Sequence, residues 1–137
     1  WSVDWSPCGN KLSTACNNLS GTGSYSVQIF SKEGSTGNFV CQSTLNVGGS
    51  VSSIDFAPCG NKLAAAFNIY QYGSFKEGGV KIFSNQGSAG FVCQSTLRGH
   101  SAAVRSVCFS SDGKQLTSSS NDSTVRNWDP ATRASLS

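Results

Sequence analysis

The stretch VDWSPCGNKL at residues 3–12 returns almost unchanged as IDFAPCGNKL at residues 54–63, and more loosely as VCFSSDGKQL at residues 107–116. A second segment, FVCQSTL, stands at residues 39–45 and recurs without change at residues 91–97. Self-similarity at a fixed period is the signature of a repeat architecture. The chain of 137 residues therefore contains one structural unit three times.

Each unit alternates apolar and polar residues in short runs, and Gly, Pro, Asn and Ser separate the runs. This pattern is typical of strands joined by turns. In the second unit it predicts strands near residues 52–57, 62–69, 79–84 and 91–96. Each unit is thus expected to form one blade of four antiparallel strands.

The third unit resembles a WD repeat. It has Gly99-His100, the turn SSDG at residues 110–113, Asp122 six residues before Trp128, and a closing Trp-Asp pair. The resemblance implies an all-β propeller of WD40 type with one blade per unit. Blade 1 is then expected at about residues 1–47, blade 2 at about 48–97 and blade 3 at about 98–137.

The resemblance also implies a hydrogen-bonded tetrad in the third blade. Its members would be His100, Asp122, Trp128 and a hydroxyl from Ser118, Ser119 or Ser120. Such a network satisfies buried polar groups, each of which costs about 1–3 kcal/mol when it is left unpaired. The first two units have Phe30 and Phe83 in place of the Trp, and they lack the Asp, so their blades are expected to depend on apolar packing.

Three blades do not close a ring, and the end blades would expose apolar surface. A longer parent chain with six to eight blades would cover these faces. Self-association of two copies, three blades plus three, or additional blades from another subunit would do the same. The sequence does not choose among these arrangements.

The residues that could carry chemistry are accounted for by the repeat. Cys8 and Cys59 occupy the same turn, and Cys41 and Cys93 the same strand position, so each pair lies a blade's width apart. No Cys-x-x-Cys pair is present, and we expect unpaired thiols, no metal and no cofactor. The one histidine, His100, belongs to the tetrad, so no catalytic residue is predicted and the chain is not expected to be an enzyme.

Charge and hydropathy point to proteins or peptides as partners. The net charge of +3 is small and the basic residues are scattered, so nucleic acid is not expected. No apolar run approaches the eighteen or so residues of a membrane span, and a membrane is not expected either. Unpaired cysteines favour a reducing compartment, which predicts the cytoplasm or the nucleus.

Two insertions suggest where a partner binds. The segments between the second and third strands lengthen to about residues 17–26 and 68–79, whereas the third unit needs only a tight turn. The insertions carry Tyr25, Tyr70, Tyr72 and Phe75, aromatic residues of the kind that anchor interfaces. The alternative is a longer hairpin whose rings pack on one another. The resemblance places further contact positions at Trp1, Ser52 and Arg105.

These expectations predict a non-catalytic scaffold that binds proteins or peptides through the propeller face carrying the two long hairpins. The alternatives are a constitutive structural subunit of a larger complex, or a propeller that recruits substrate for a multidomain enzyme. Propellers of this family serve many processes, and the fold alone does not select one.

Overall fold

A computed structural model describes residues 2–17, 25–132 and 134–136. The strands form three antiparallel sheets in chain order, which we call blades 1, 2 and 3. Blade 1 contains β1 (Ser2–Trp5), β2 (Lys11–Asn17), β3 (Tyr25–Lys32) and β4 (Phe39–Asn46). Blade 2 contains β5 (Ser50–Phe56), β6 (Lys62–Gln71), β7 (Ser74–Asn85) and β8 (Phe91–Arg98). Blade 3 contains β9 (Val104–Phe109), β10 (Leu116–Ser120) and β11 (Val125–Trp128).

The expected all-β class is confirmed, with one difference in the third blade. Among the described residues blade 3 has three strands rather than four. After Trp128 the chain turns back, and the Asp129 N–H donates to the Ala134 carbonyl at 2.9 Å. A single antiparallel bridge between Trp128 and Ser135 stands where a fourth strand would pair. In the described part of the chain no helix is long and apolar enough to cross a membrane.

The repeated sequence motif builds the turn between the first and second strands of each blade. Gly9, Gly60 and Gly113 all have φ values of 72–73°, a left-handed conformation that favours glycine. Each of these glycines donates its N–H to the carbonyl three residues earlier, at 2.8–2.9 Å. The glycine is therefore repeated because the turn requires its conformation.

Blade 2 lies between two apolar layers. Along β6 the side chains alternate: Leu63, Ala65 and Phe67 belong to the layer shared with blade 1, whereas Ala64 and Ala66 belong to the layer shared with blade 3. All five are almost completely buried. The second strand of blade 2 is therefore apolar throughout because both of its faces are covered.

A polar contact also repeats between the blades. The Asp4 carboxylate accepts the Phe56 N–H at 2.7 Å, and the Asp55 carboxylate accepts the Phe109 N–H at 2.7 Å. Two residues before each Asp, a serine hydroxyl accepts a second N–H from the same strand: Ser2 from Ile54 at 3.4 Å and Ser53 from Val107 at 3.3 Å. We call this Ser-x-Asp pair the clasp, because it joins the first strand of one blade to the first strand of the next.

The insertion at residues 68–79 is a strand extension rather than a loop. Strands β6 and β7 stay paired from Lys62↔Ser84 as far as Gln71↔Ser74, with a bulge near Lys76. Tyr72 and Gly73 form the tip, with φ values of 52° and 78°. Residues Ile69, Tyr70 and Phe75 favour strands, which explains why pairing continues to the tip. The other predicted insertion falls largely at residues 18–24, outside the described residues.

Candidate functional site

Four polar side chains of blade 3 form one continuous network. The Trp128 indole N–H donates to Ser118 Oγ at 2.9 Å, and Ser118 Oγ lies 2.8 Å from His100 Nε2. His100 Nδ1 lies 2.8 Å from Asp122 Oδ2. When the imidazole proton is on Nδ1, every donor in the network has one acceptor: Trp128 N–H donates to Ser118 Oγ, the Ser118 hydroxyl donates to His100 Nε2, and His100 Nδ1–H donates to Asp122 Oδ2. This tautomer of His100 is assigned from the hydrogen-bond pattern. The structure therefore brings the four predicted tetrad residues together, with Ser118 as the hydroxyl.

Asp122 is held in its ionised form. Its carboxylate accepts hydrogen bonds from the Thr124 hydroxyl, from His100 and from the Ser101 N–H, and the Thr124 N–H donates at 2.9 Å. These donors, led by the Thr124 hydroxyl, hold the pKa of Asp122 well below its usual range. The carboxylate thereby ties the Gly-His segment to the β10–β11 turn.

The Ser118–His100–Asp122 order matches that of a hydrolase triad, but its surroundings do not. Ser118 is 1% exposed and His100 is 8% exposed, so a substrate carbonyl cannot reach the serine oxygen. The same oxygen is also occupied by the Trp128 N–H. The arrangement satisfies buried polar groups and stabilises the blade.

Gly99 allows the network to close. A Cβ added at Gly99 would lie 3.1 Å from the Arg126 guanidinium and 3.2 Å from the Trp128 ring. The Trp128 ring also contacts the His100 ring edge to face, with centroids 6.5 Å apart. A side chain at position 99 would push Trp128 away from Ser118, which explains why glycine precedes the histidine.

The sequence of this region matches a known family. Residues 91–129 match the model of the WD domain, G-beta repeat. This segment is a WD repeat. It spans the outer strand β8 of blade 2 and all three strands of blade 3, so the WD repeat is staggered with respect to the blades.

Three curated proteins are similar to this chain over part of its length. The chain is 54% identical over 44 residues to the Notchless protein homolog of Arabidopsis thaliana, covering 32% of this chain and 9% of that protein. It is 32% identical over 80 residues to the vegetative incompatibility protein HET-E-1 of Podospora anserina, covering 58% of this chain and 6% of that protein. It is 38% identical over 81 residues to the nuclear distribution protein PAC1 of Arthroderma otae, covering 58% of this chain and 17% of that protein. The chain thus spans less than a fifth of each of these relatives.

The fold has a close counterpart among solved structures. A chain of the crystal structure of the Mitotic Checkpoint Complex superposes with a TM-score of 0.70 at 21% identity, covering 93% of this chain and 36% of that one. The three sheets are therefore arranged as blades of a β-propeller. Proteins with WD40 repeats generally act as protein-interaction scaffolds, and their propellers are generally not catalytic.

Blade 2 has no WD tetrad, and the amide of Asn68 makes a different polar link. Asn68 is 4% exposed. Its Nδ2 donates to the Val104 carbonyl at 2.9 Å, and its Oδ1 accepts the Val104 N–H at 2.7 Å. The amide therefore pairs with blade 3 as a neighbouring strand would. Sequence reasoning missed this residue, although Asn17, Asn68 and Asn121 stand at equivalent positions of the three units.

The aromatic residues of the β6–β7 hairpin divide into two groups. Tyr70 and Phe75 contact each other edge to face, with centroids 6.1 Å apart. Phe75 is half-buried over Gly78, where an added Cβ would lie 3.2 Å from its ring and 2.5 Å from Asn68 Oδ1. Tyr72, in contrast, is 97% exposed at the tip. The alternative of rings that pack on one another therefore holds for Tyr70 and Phe75, and Tyr72 stands apart.

The remaining predicted contact residues lie in different surroundings. Arg105 is exposed, and its Nε donates to Asn121 Oδ1 at 2.9 Å. Ser52 is half-buried, and its hydroxyl donates to the Val104 carbonyl at 2.7 Å, so it contributes to the contact between blades 2 and 3. Tyr25 is half-buried at the start of β3. Trp1 lies outside the described residues.

The described residues form no group of three or more His, Cys, Asp or Glu side chains that could hold a metal ion. The six cysteines are free and exposed: Cys8, Cys16, Cys41, Cys59, Cys93 and Cys108. A shallow cleft of about 420 Å³ is lined by residues 10–11 and 31–34, which are polar or charged apart from Gly34. It contains neither a cysteine nor a histidine.

Proposed function

We propose that this chain is a non-catalytic interaction module that binds a partner protein or peptide on the face formed by the β6–β7 hairpin and Arg105. The observation that carries this proposal is the conformation of Tyr72.

Tyr72 is a bulky residue in a position that suits Asn or Gly. Its φ of 52° is left-handed, a strained backbone conformation for a tyrosine. Its side chain is 97% exposed, so packing within the described chain does not offset that strain. Two-residue hairpin turns with two positive φ values favour Asn-Gly or Asp-Gly. Strain of about 1 kcal/mol that persists at an exposed position is a feature of binding sites. A tyrosine held there on a rigid two-stranded ribbon is suited to bury its ring in a partner.

Arg105 adds a second anchor of the same kind. Its guanidinium is exposed, and the contact with Asn121 limits its side-chain freedom before a partner arrives. Asn121 follows β10, and Arg105 lies in β9, next to the backbone segment that Asn68 binds. Arg105 therefore stands beside the base of the hairpin, where Tyr and Arg can contact one partner.

The test is partner capture by the chain and two single variants. Tyr72→Asn and Arg105→Ala should each reduce the amount of captured partner tenfold or more, as expected for interface anchors worth about 2 kcal/mol. Tyr72→Asn should at the same time raise Tm slightly, because Asn suits the turn better. A photo-crosslinking residue placed at position 72 should form a discrete adduct with the captured protein.

Val92→Ala is the matched control, because Val92 is an exposed apolar residue on the outer strand β8. It should leave capture unchanged, and a crosslinker at position 92 should form no adduct. Undiminished capture by both Tyr72→Asn and Arg105→Ala would exclude this face as the binding surface.

A constitutive structural subunit is the second candidate function. It is favoured by the exposed apolar side chains of blade 1, since Val3 and Trp5 are 63% and 54% exposed. Large permanent interfaces bury surfaces of this kind. The free thiols support a reducing compartment for either role, and we assign the chain to the cytoplasm or nucleus on that ground.

A further inference from the structure

Blade 2 carries a lysine on the side that faces blade 1. Lys81 lies in β7, and its ammonium nitrogen is 5.3 Å from the centre of the Phe67 ring, which belongs to the apolar layer shared with blade 1. The same nitrogen lies 3.7 Å from the position that a Cβ of Gly48 would take, in the connection between the two blades. The ring and the connection therefore hold this cation at the edge of the sheets from which the β6–β7 hairpin projects.

Blade 3 repeats this arrangement with an arginine. Arg126 stands in β11 at the position equivalent to Lys81, because VRNW at residues 125–128 matches VKIF at residues 80–83. Its Nη1 lies 3.1 Å from the position that a Cβ of Gly99 would take, in the connection between blades 2 and 3. In both blades a cation of the third strand thus lies over a glycine of the connection from the blade before it.

Arg98 lies between these two cations. On the β7–β8 ladder Lys81 and Arg98 are diagonal neighbours on the side that faces blade 1, and the β-carbons of such neighbours are roughly 7–8 Å apart. Arg98 directly precedes Gly99, the residue over which Arg126 lies. We call Lys81, Arg98 and Arg126 the basic strip.

The carboxylates of the chain leave the basic strip largely unneutralised. All seven acidic side chains lie in described segments, and each engages another group: Asp4, Glu33, Asp55, Glu77, Asp112, Asp122 and Asp129. Of these, Glu77 pairs with the strip, with its Oε1 3.6 Å from Arg98 Nη2. Both side chains of this pair are exposed, so the pair contributes little. Among the described residues neither Lys81 nor Arg126 has a hydrogen-bond or ion-pair partner.

The charged ends of the strip are open to solvent. Of the nitrogens of Lys81 and Arg126 only Arg126 Nε is buried, so Lys81 Nζ and the two Arg126 Nη atoms can meet a ligand. The surroundings of Lys81 come from blades 1 and 2, which both have four strands, and they do not depend on any further blade. Packing against Phe67 restricts the Lys81 side chain before a ligand arrives, which lowers the entropic cost of binding.

We propose that the basic strip binds an acidic, extended segment of a partner protein, whose Asp or Glu side chains contact Lys81, Arg98 and Arg126. Charge complementarity selects this occupant, because three cations face solvent beside a single carboxylate. Arginine can hold a carboxylate through two parallel hydrogen bonds, and lysine attracts it as a point charge. In an extended peptide every second side chain points to the same side, about 7 Å apart. This spacing matches that of Lys81 and Arg98.

The basic strip does not include Tyr72, so this inference goes beyond the proposed function and can fail independently of it. The probe is a fluorescein-labelled peptide of alternating Glu and Gly, EGEGEGEG, and its binding to the 137-residue chain is followed by fluorescence anisotropy. The matched peptide QGQGQGQG has the same length without the charges. The Glu peptide should bind about tenfold more tightly than the Gln peptide.

Single substitutions locate the binding site. Lys81→Gln and Arg98→Gln should each weaken binding of the Glu peptide about fivefold, the loss expected for one solvent-exposed ion pair. Lys62→Gln is the matched control, because it also removes one positive charge but lies at the β5–β6 turn, on the opposite edge of blade 2. It should leave the affinity unchanged. Tyr72→Asn should also leave it unchanged, which separates this site from the hairpin tip.

Charge reversal provides a gain of binding. The double variant Lys81→Glu, Arg98→Glu should lose the Glu peptide and bind KGKGKGKG instead. Circular dichroism and Tm must show that each variant is folded, and Lys81→Gln together with Arg98→Gln decides the matter if the double reversal unfolds.

Three results would overturn the proposal. The first is equal affinity for the Glu and Gln peptides. The second is an equal loss in Lys62→Gln, which would mean that the peptide responds to overall charge. The third is tighter binding of an oligothymidylate of the same length with the same dependence on Lys81 and Arg98, which would assign the strip to nucleic acid.

Discussion

Trp128 combines two contributions in a single residue. Its ring is 3% exposed in the apolar layer between blades 2 and 3, and its N–H satisfies Ser118. We expect Trp128→Ala to lower the free energy of unfolding by about 3–5 kcal/mol, because it leaves a cavity and an unpaired buried hydroxyl. Urea unfolding followed by circular dichroism measures this change.

Trp5→Ala is the control for this prediction, since Trp5 is a tryptophan in the first strand of blade 1 that is 54% exposed. Trp5→Ala should lower the free energy of unfolding by less than about 1.5 kcal/mol, measured at a dilution where the chain is monomeric. Similar losses for the two variants would mean that Trp128 is not buried in solution.

Asp122 makes stability depend on acid pH. Its pKa is lowered in the folded chain by the Thr124 and His100 hydrogen bonds, whereas in the unfolded chain it is near 3.9. The stabilisation is therefore full above about pH 5 and is lost as pH falls below about 4. Asp122→Asn should lower Tm at pH 7, and the difference from wild type should shrink towards pH 2. A constant difference across this range would contradict the assigned contacts.

At the level of a strand, Gly78 and Gly79 set how closely β7 approaches its neighbours. A Cβ at Gly78 would lie 2.5 Å from Asn68 Oδ1 and 3.0 Å from the Phe67 carbonyl. Gly78→Ala should therefore destabilise the chain by about 1–3 kcal/mol, with loss of the Asn68–Val104 pairing. Gly34→Ala, with no atom within 4 Å of the added Cβ, should leave Tm nearly unchanged.

The sequence predicted the strands of the repeat well, and it misjudged this hairpin. Alternation and turn residues locate β5 and β8 because those strands lie between clear breaks. Residues 68–79 contain two glycines at 78–79 that read as a loop. In the structure these glycines serve close packing instead, against Phe75 and the Leu97 carbonyl. Whether a glycine serves close packing or a turn depends on the atoms around it in the fold. The sequence alone does not show which atoms those are.

At the scale of the whole molecule, the clasp joins blades that share no backbone hydrogen-bond ladder. Asp4→Ala removes the acceptor of the Phe56 N–H, and we expect it to lower the free energy of unfolding by about 1–3 kcal/mol. Asp4→Asn keeps an acceptor oxygen and should cost less. Equal losses for Ala and Asn in urea unfolding would show that the hydrogen bond at Asp4 does not contribute.

The clasp depends on contacts that the repeat pattern of the sequence does not specify. Asp4 and Asp55 occupy equivalent positions of the first and second units. Their partners, Phe56 and Phe109, lie 52 and 54 residues farther along the chain. A one-dimensional period identifies which residues match, but the contact across blades depends on how one sheet is placed on the next. The tetrad of blade 3 lies within one unit, so the resemblance predicts its residues. Asn68 contacts Val104 of the next blade, and nothing in the sequence predicts that contact.

Because blade 2 alone is covered on both faces among the described sheets, the three blades will not release their amide protons at the same rate. Exchange with deuterated water requires that a hydrogen bond open, and opening is easiest where one side already meets solvent. Amides in the middle of β6, such as those of Ala64 to Phe67, should exchange last. The amides of β1 and β11 should exchange first, so that hydrogen bonds open earlier in blades 1 and 3 than in blade 2.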